Sequence, residues 1–188
     1  VVAAFGRREA PVLSLSGALI SGEVIFLVSG LIPNRKSHPL IHRWYGVRFL
    51  NEKYDSVVPL EDLIKKTRLG DHRFANRNNP VPEEKLRALA PAAVDKARTW
   101  MANVWKQFES SVNAKLNMQL AELERLKSKK FAQLELQFEQ DESALPVKSN
   151  KKEREKRKIE RIFSEYFEWI EDTMTTENNP YIRIVAVL

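Results

Sequence analysis

The hydrophobic pattern of the chain changes period twice. After Glu23 comes a short unbroken apolar run, EVIFLVS over Glu23–Ser29, held between Gly22 and Gly30. A run of that kind predicts a strand covered on both faces. Pro33, Asn34 and Pro39 then mark IPNRKSHP as a turn. From Leu40 to Leu50 the pattern alternates. Ile41, Tyr45, Val47 and Phe49 share one face, with Arg43 the exception, and His42, Trp44 and Arg48 share the other. Period two with one polar side predicts a half-exposed strand. The two runs are expected to pair antiparallel around the basic turn, with PVLSLSG as a candidate third strand.

PLEDLIKKTRLG, from Pro59 to Gly70, has proline at its start, acids in its first turn, bases in its last and glycine at its end. That order complements the helix dipole and predicts a short helix. DHRFANRNNPVP reads as loop. The second half then shifts to a period near 3.6. From Pro91 to Gln140 apolar residues recur at Val94, Ala97, Met101, Val104, Phe108, Val112, Leu116, Leu120, Leu123, Phe131, Leu134 and Phe138. Such spacing predicts one helix, on the order of 75 Å long at ~1.5 Å per residue. A core of this size cannot cover that length, so the far end is expected to project and to need a partner helix.

The partner follows in sequence. DESALPVKSN is expected to turn around Pro146, and a return helix to start near Asn150. It carries Ile159, Ile162, Phe163, Tyr166, Phe167, Ile170 and Met174 at helical spacing. Its first turns are almost purely charged and predict a solvated tip, supported by pairs such as Glu153 with Arg157. TTENNP stops the return helix. Tyr181–Leu188 is then expected to insert beside EVIFLVS, with both strands buried. The predicted fold is α+β. A small antiparallel sheet base is formed by residues 1–90 with 176–188. Residues 91–175 form a long projecting antiparallel helical hairpin, a coiled-coil arm, and the C-terminal strand returns to the sheet.

Composition adds little to this outline and removes some alternatives. The 188 residues are 43% hydrophobic and 30% charged, enough for a core with exposed long helices. There is no cysteine, which excludes disulfides and thiolate metal sites. The net charge of +6 is compatible with nucleic acid or another acidic partner, and equally with a lysine-rich solvated surface. VVAAFGRREA opens the chain without methionine, so a fragment of a longer protein is expected. Val12–Ile32 is long enough to span a bilayer. However, Glu23 lies near its middle, and its serines and glycines divide it into strand-length pieces. No membrane contact and a cytoplasmic setting are expected.

No phosphate loop, dinucleotide fingerprint or nucleophile elbow occurs in the sequence. His38 and His42 are four apart, but on a strand that places them roughly 13 Å apart, so no metal site and no cofactor are expected. Three basic clusters are candidates for contact with nucleic acid. The first is Arg35, Lys36, His38, Arg43 and Trp44, where bases interleave with an aromatic able to stack on a nucleobase. The second is Lys65, Lys66, Arg68, Arg73 and Arg77. The third lies in KKEREKRK and includes Lys151, Lys152 and Arg154. Each also has a plain structural explanation: a charged hairpin tip, helix C-terminal charges, and a solvated coiled-coil tip. Trp100, Trp105 and Trp169 lie on or beside apolar stripes and are expected in the core.

The layout carried by LIPNRKSHPLIHRWYGVRFL, by ERIFSEYFEWIEDTMTTENNPYIRIVAVL and by the helix between them resembles the C-terminal region of bacterial Swi2/Snf2-type helicases, the RapA-like ATPases and related phage-defence helicases. The resemblance covers most of the chain and rests on layout rather than on a sharp motif. It implies a non-catalytic accessory region downstream of two RecA-like motor domains, with no catalytic residue in this segment. The implied partners are DNA, the motor domains of the same polypeptide, or a protein bound along the arm. The alternative is a free-standing nucleic-acid-binding module that uses the basic β-hairpin.

Overall fold

The structure is a computed structural model. It describes residues 10–15, 17–69, 80–139, 145–176 and 179–188, and only the backbone of 145–148. The elements are strands β1 (Glu23–Pro33), β2 (Pro39–Leu50) and β3 (Lys53–Pro59), helices α1 (Leu60–Thr67), α2 (Glu83–Glu139) and α3 (Leu145–Met174), and strand β4 (Tyr181–Val187). The fold is α+β, with a four-stranded antiparallel sheet in the order β3-β2-β1-β4 and α2 and α3 packed as a hairpin. The chain divides into two compact units. One comprises Val1–Pro33, Pro39–Lys106 and Glu177–Leu188, and the other Asn34–His38 and Gln107–Thr176.

In the first unit, β1 is central and pairs with β2 and β4, as the continuous apolar run requires. One sheet face presents Phe26, Val28, Ile32, Ile41, Tyr45, Val47 and Phe49, all buried. The start of α2 lies over it through Ala93, Ala97 and Met101, which are fully buried. Gly30 lets this helix approach closely, because a Cβ there would fall 2.7 Å from the Met101 Sδ. Tyr45 packs against Trp100 with ring centroids 4.1 Å apart and planes inclined at 42°, and donates its hydroxyl to the Ala97 carbonyl at 3.1 Å. Burial in this apolar setting pushes the Tyr45 phenol well above its usual range. Tyr45→Phe is expected to cost about 1 kcal/mol, read as a lower urea midpoint at unchanged slope.

Among the described residues, the opposite face is covered at one end only. There Leu15, Ile25, Leu63 and Leu188 form a second cluster, with Leu27 and Val58 packed against it. Gly46 is required beside them, since an added Cβ would meet Ile25 Cγ2 at 2.7 Å. Leu188 exchanges backbone hydrogen bonds with Ile25, both at 2.9 Å, and so fixes the end of the returning strand. β4 is the edge of the sheet. Its final residues are buried, but Tyr181 is 61% exposed, so only half of this strand is covered.

The third strand differs from the expected one. PVLSLSG contributes an isolated parallel bridge, Val12 to Val187, rather than a strand. The third strand is β3, whose polar sequence KYDSVVP is joined to β2 by Asn51 and Glu52, both at positive φ. Two consecutive residues in that region form the tight turn whose twist suits a hairpin. Helix α2 also starts earlier than Pro91, at Glu83. An internal proline costs about 3 kcal/mol through its missing N–H. The added turns help to offset that cost by burying Leu86 and pairing Arg87 with Glu83.

In the second unit, the helical seam on α2 follows the sequence pattern. Leu134 and Phe138 are buried, and Leu116, Leu120, Leu123 and Phe131 half-buried. On α3, Ile159, Phe163, Phe167, Ile170 and Met174 are half-buried. Ile162, Tyr166 and Trp169 are exposed instead, Trp169 by 55%, contrary to a core position for that tryptophan. They lie roughly 90° round the helix from the seam, beyond the arc one partner helix can cover. α3 begins at Leu145, with Pro146 in its first turn, where no N–H is needed. No helix among the described residues is long and apolar enough to cross a membrane.

Candidate nucleic-acid interface

The basic turn between β1 and β2 is not a loose tip. Asn34, 3% exposed, is its anchor. Its Oδ1 accepts from the N–H groups of Lys36 and His38, at 3.0 and 2.9 Å, and its Nδ2 donates to the Thr173 carbonyl at 3.1 Å. The Arg35 N–H donates to the Thr175 carbonyl at 3.2 Å, and the Arg35 guanidinium lies 4.0 Å from Asp172. Asn34 also bridges to Thr176. The five-residue turn is thus fastened to the C-terminal end of α3, with Arg35, Lys36 and His38 exposed on a fixed backbone. Removing a buried side chain with three hydrogen bonds strands their partners. Asn34→Ala is therefore expected to cost about 2 kcal/mol and to raise amide exchange at Lys36 and His38.

The other candidates scatter. Arg43 and Trp44 are neighbours on β2 and so point to opposite sheet faces. Lys65 is exposed near Asp62, and Arg68 is the exposed left-handed cap of α1. Lys66 binds the buried carboxylate of Glu23. Arg73 and Arg77 lie outside the described residues. Lys152 and Lys156 both pair with Glu135 on α2, Lys156 at 2.7 Å. Hydrogen bonds from these two lysines hold the Glu135 carboxyl below its usual range. Lys151 sits 5.9 Å over the Phe138 ring, while Arg154 is exposed. Along α3, Arg154 and the Arg35 contact at Asp172 are about 27 Å apart at ~1.5 Å per residue. Within neither compact unit does the structure gather the described candidates into one basic surface. Lys66 and Lys152 are instead paired with carboxylates of the same chain, Glu23 and Glu135.

It does gather a different set around Trp44. Cross-strand register aligns Arg183 and Trp44 on either side of Ser29, and Tyr181 and His42 on either side of Leu31. These two rows share the sheet face whose other end is covered by Leu63. The His42 ring lies 6.0 Å from that of Trp44, and its Nε2 is 2.9 Å from Ser29 Oγ. Tyr181, His42 and Arg183 are exposed, and Trp44, Ser29 and Leu31 half-buried. Tyr181 and Arg183 were not singled out by the sequence pattern. The signal was present in YIRIV, where they alternate with Ile182 and Ile184 as the polar side of a half-covered strand.

Comparison with protein-family models, with characterised proteins and with solved structures finds no match to the chain.

Proposed function

We propose that this chain is a non-catalytic accessory region of a cytoplasmic Swi2/Snf2-type, RapA-like DNA-translocating ATPase. In this reading it couples the motor to DNA or to a protein partner. The observation that supports it is the closed path of the chain. β1 and β2 open the sheet, α2 and α3 run as a helical hairpin, and β4 returns to pair with β1. That is the layout on which the resemblance rests. The hairpin offers the exposed stripe of Ile162, Tyr166 and Trp169 to a motor lobe or a partner protein. The test is the coding frame that precedes Val1. A phosphate loop and helicase motifs are expected there, and a frame without them overturns the assignment.

A second reading, a free-standing nucleic-acid-binding module, is favoured by the fixed and exposed Arg35, Lys36 and His38. It predicts duplex DNA binding that falls steeply between low and moderate salt and is abolished by Arg35→Ala with Lys36→Ala. Retention of no duplex at low salt leaves these residues as solvated surface and a protein as the partner.

A further inference from the structure

We infer that the half-covered face of β1, β2 and β4 binds single-stranded nucleic acid by stacking bases on Trp44 and Tyr181. The inference goes beyond the motor assignment and does not rest on it. Three observations converge. First, aromatic rings stand on an open sheet surface: Tyr181 is 61% exposed, and Trp44 is half-buried with His42 beside it. In the interior such rings would be expected under the covering helix, as Tyr45 and Phe49 are on the other face.

Second, the two rings are spaced for more than one base. Tyr181 is two strands and one residue row from Trp44. With strands ~4.8 Å apart and ~3.4 Å per residue, the positions are about 12 Å apart. That exceeds the ~3.4 Å stacked step of a helical strand, so the bases must splay out to reach both rings. A duplex cannot offer its bases in this way, whereas a single strand can. Leu31 lies between the rows as apolar floor, and the Ser29 hydroxyl and His42 ring supply polar edges.

Third, the charge has the right sign. On this face, from Ile25 onward, β1, β2 and β4 carry Arg48, which is paired with Glu23 and Asp55, and Arg183, and no acidic residue; Arg43 lies on the opposite face. The one carboxylate in these strands, Glu23, lies at the far end and is matched by Arg48 and Lys66. Arg183 lies in the same row as Trp44.

The experiment measures fluorescence anisotropy of short labelled oligothymidylate and oligouridylate against the intact chain over a salt series. Trp44→Ala and Tyr181→Ala are each expected to weaken binding about 5- to 150-fold. Trp44→Phe and Tyr181→Phe are expected to retain most of the affinity, since a ring still stacks. Arg183→Ala is expected to weaken binding less and to lower the logarithmic salt slope by about 0.7. Arg35→Ala with Lys36→Ala, the pair that reports on duplex binding, is expected to leave single-strand affinity unchanged. The inference is overturned by failure of the intact chain to bind either oligomer at low salt. Equal binding by both alanine variants, or loss only in the Arg35 and Lys36 pair, overturns it too. So does sedimentation showing a dimer that Tyr181→Ala dissolves, because a second copy then occupies the face. Unchanged near-ultraviolet circular dichroism in Tyr181→Ala, a change at an exposed edge, keeps the reading independent of folding. The upstream coding frame decides the motor assignment separately.

Discussion

Removal of Tyr181–Leu188 abolishes cooperative unfolding of the sheet unit. β1 loses its partner from Phe26 to Leu31, and Ile25 loses both backbone hydrogen bonds to Leu188. Val187 and Leu188 are each only 6% exposed, and their burial contributes on the order of 3–6 kcal/mol together. Leu15 and Ile25, which pack in the same cluster as Leu188, become exposed. The N-terminal segment is also released, because Leu13 and Pro11 bond to Val187. A domain has only about 5–15 kcal/mol of net stability, so the loss consumes most of it. The check is thermal unfolding followed by tryptophan fluorescence, which senses the Tyr45–Trp100 contact. A truncated chain that melts as sharply and as late as the full one would remove the returning strand from the list of things holding the sheet together.

Glu23→Ala costs about 3 kcal/mol, the second largest effect expected from a small change. Its side chain is completely buried. Oε1 meets Lys66 and lies 2.8 Å from Arg48 Nε, off the line of that N–H, so the Arg48 contact is electrostatic rather than a directed hydrogen bond. Oε2 accepts from the Ile20 N–H at 3.0 Å. Arg48 reaches on to Asp55 at 3.4 Å, and Asp55 in turn accepts from Ser56. Two acids and two bases thus balance within the sheet unit. Deleting one partner of a buried pair typically costs about 3–5 kcal/mol. Here the lower end applies, because Lys66 and Arg48 remain a third and a quarter exposed and can recover water.

The same carboxylate makes stability depend on pH. Burial alone would raise its pKa, but the Lys66 hydrogen bond, the Ile20 N–H and the two cations more than offset this and hold it below 4.5. A depressed folded pKa means that the contribution is complete above 4.5 and is lost as pH falls through the folded value. Urea midpoints measured from pH 6 downward should therefore fall in acid for the native chain. Glu23→Gln, which keeps the shape, should be less stable at pH 6 and should show a shallower fall. Parallel curves for the two proteins would mean that the carboxylate is not held as described.

Much of this architecture is legible in the residues. Val24–Val28 is apolar without interruption because β1 has a strand on each side and a covered face above and below. The alternation in LIHRWYGVRFL survives because β2 is covered by α2 on one face while His42 and Trp44 look outward on the other. The strand KYDSVVP was not legible. It lies at the sheet edge and buries too little to show a hydrophobic period. The helix before Pro91 was hidden by a real local cost that a tertiary contact at Leu86 helps to offset. Among the site residues the limit was pairing at a distance. Lys66 reads as one of a basic run, and only the fold brings it to Glu23; Lys152 meets Glu135 for the same reason. Trp169 shows the converse, since a helical period says that a residue faces a stripe but not how wide a stripe the partner can cover.

The neighbours β1 and β4 are separated by almost the whole chain, and this bears on how the protein is made. At about 5–20 residues per second, a ribosome needs on the order of ten seconds to travel from Pro59 to Tyr181. Throughout that interval the nascent β1 has one bare edge of unpaired backbone, and bare edges recruit foreign strands. The growing chain is therefore most prone to aggregate while the helical hairpin is being synthesised, before the strand that caps the edge exists.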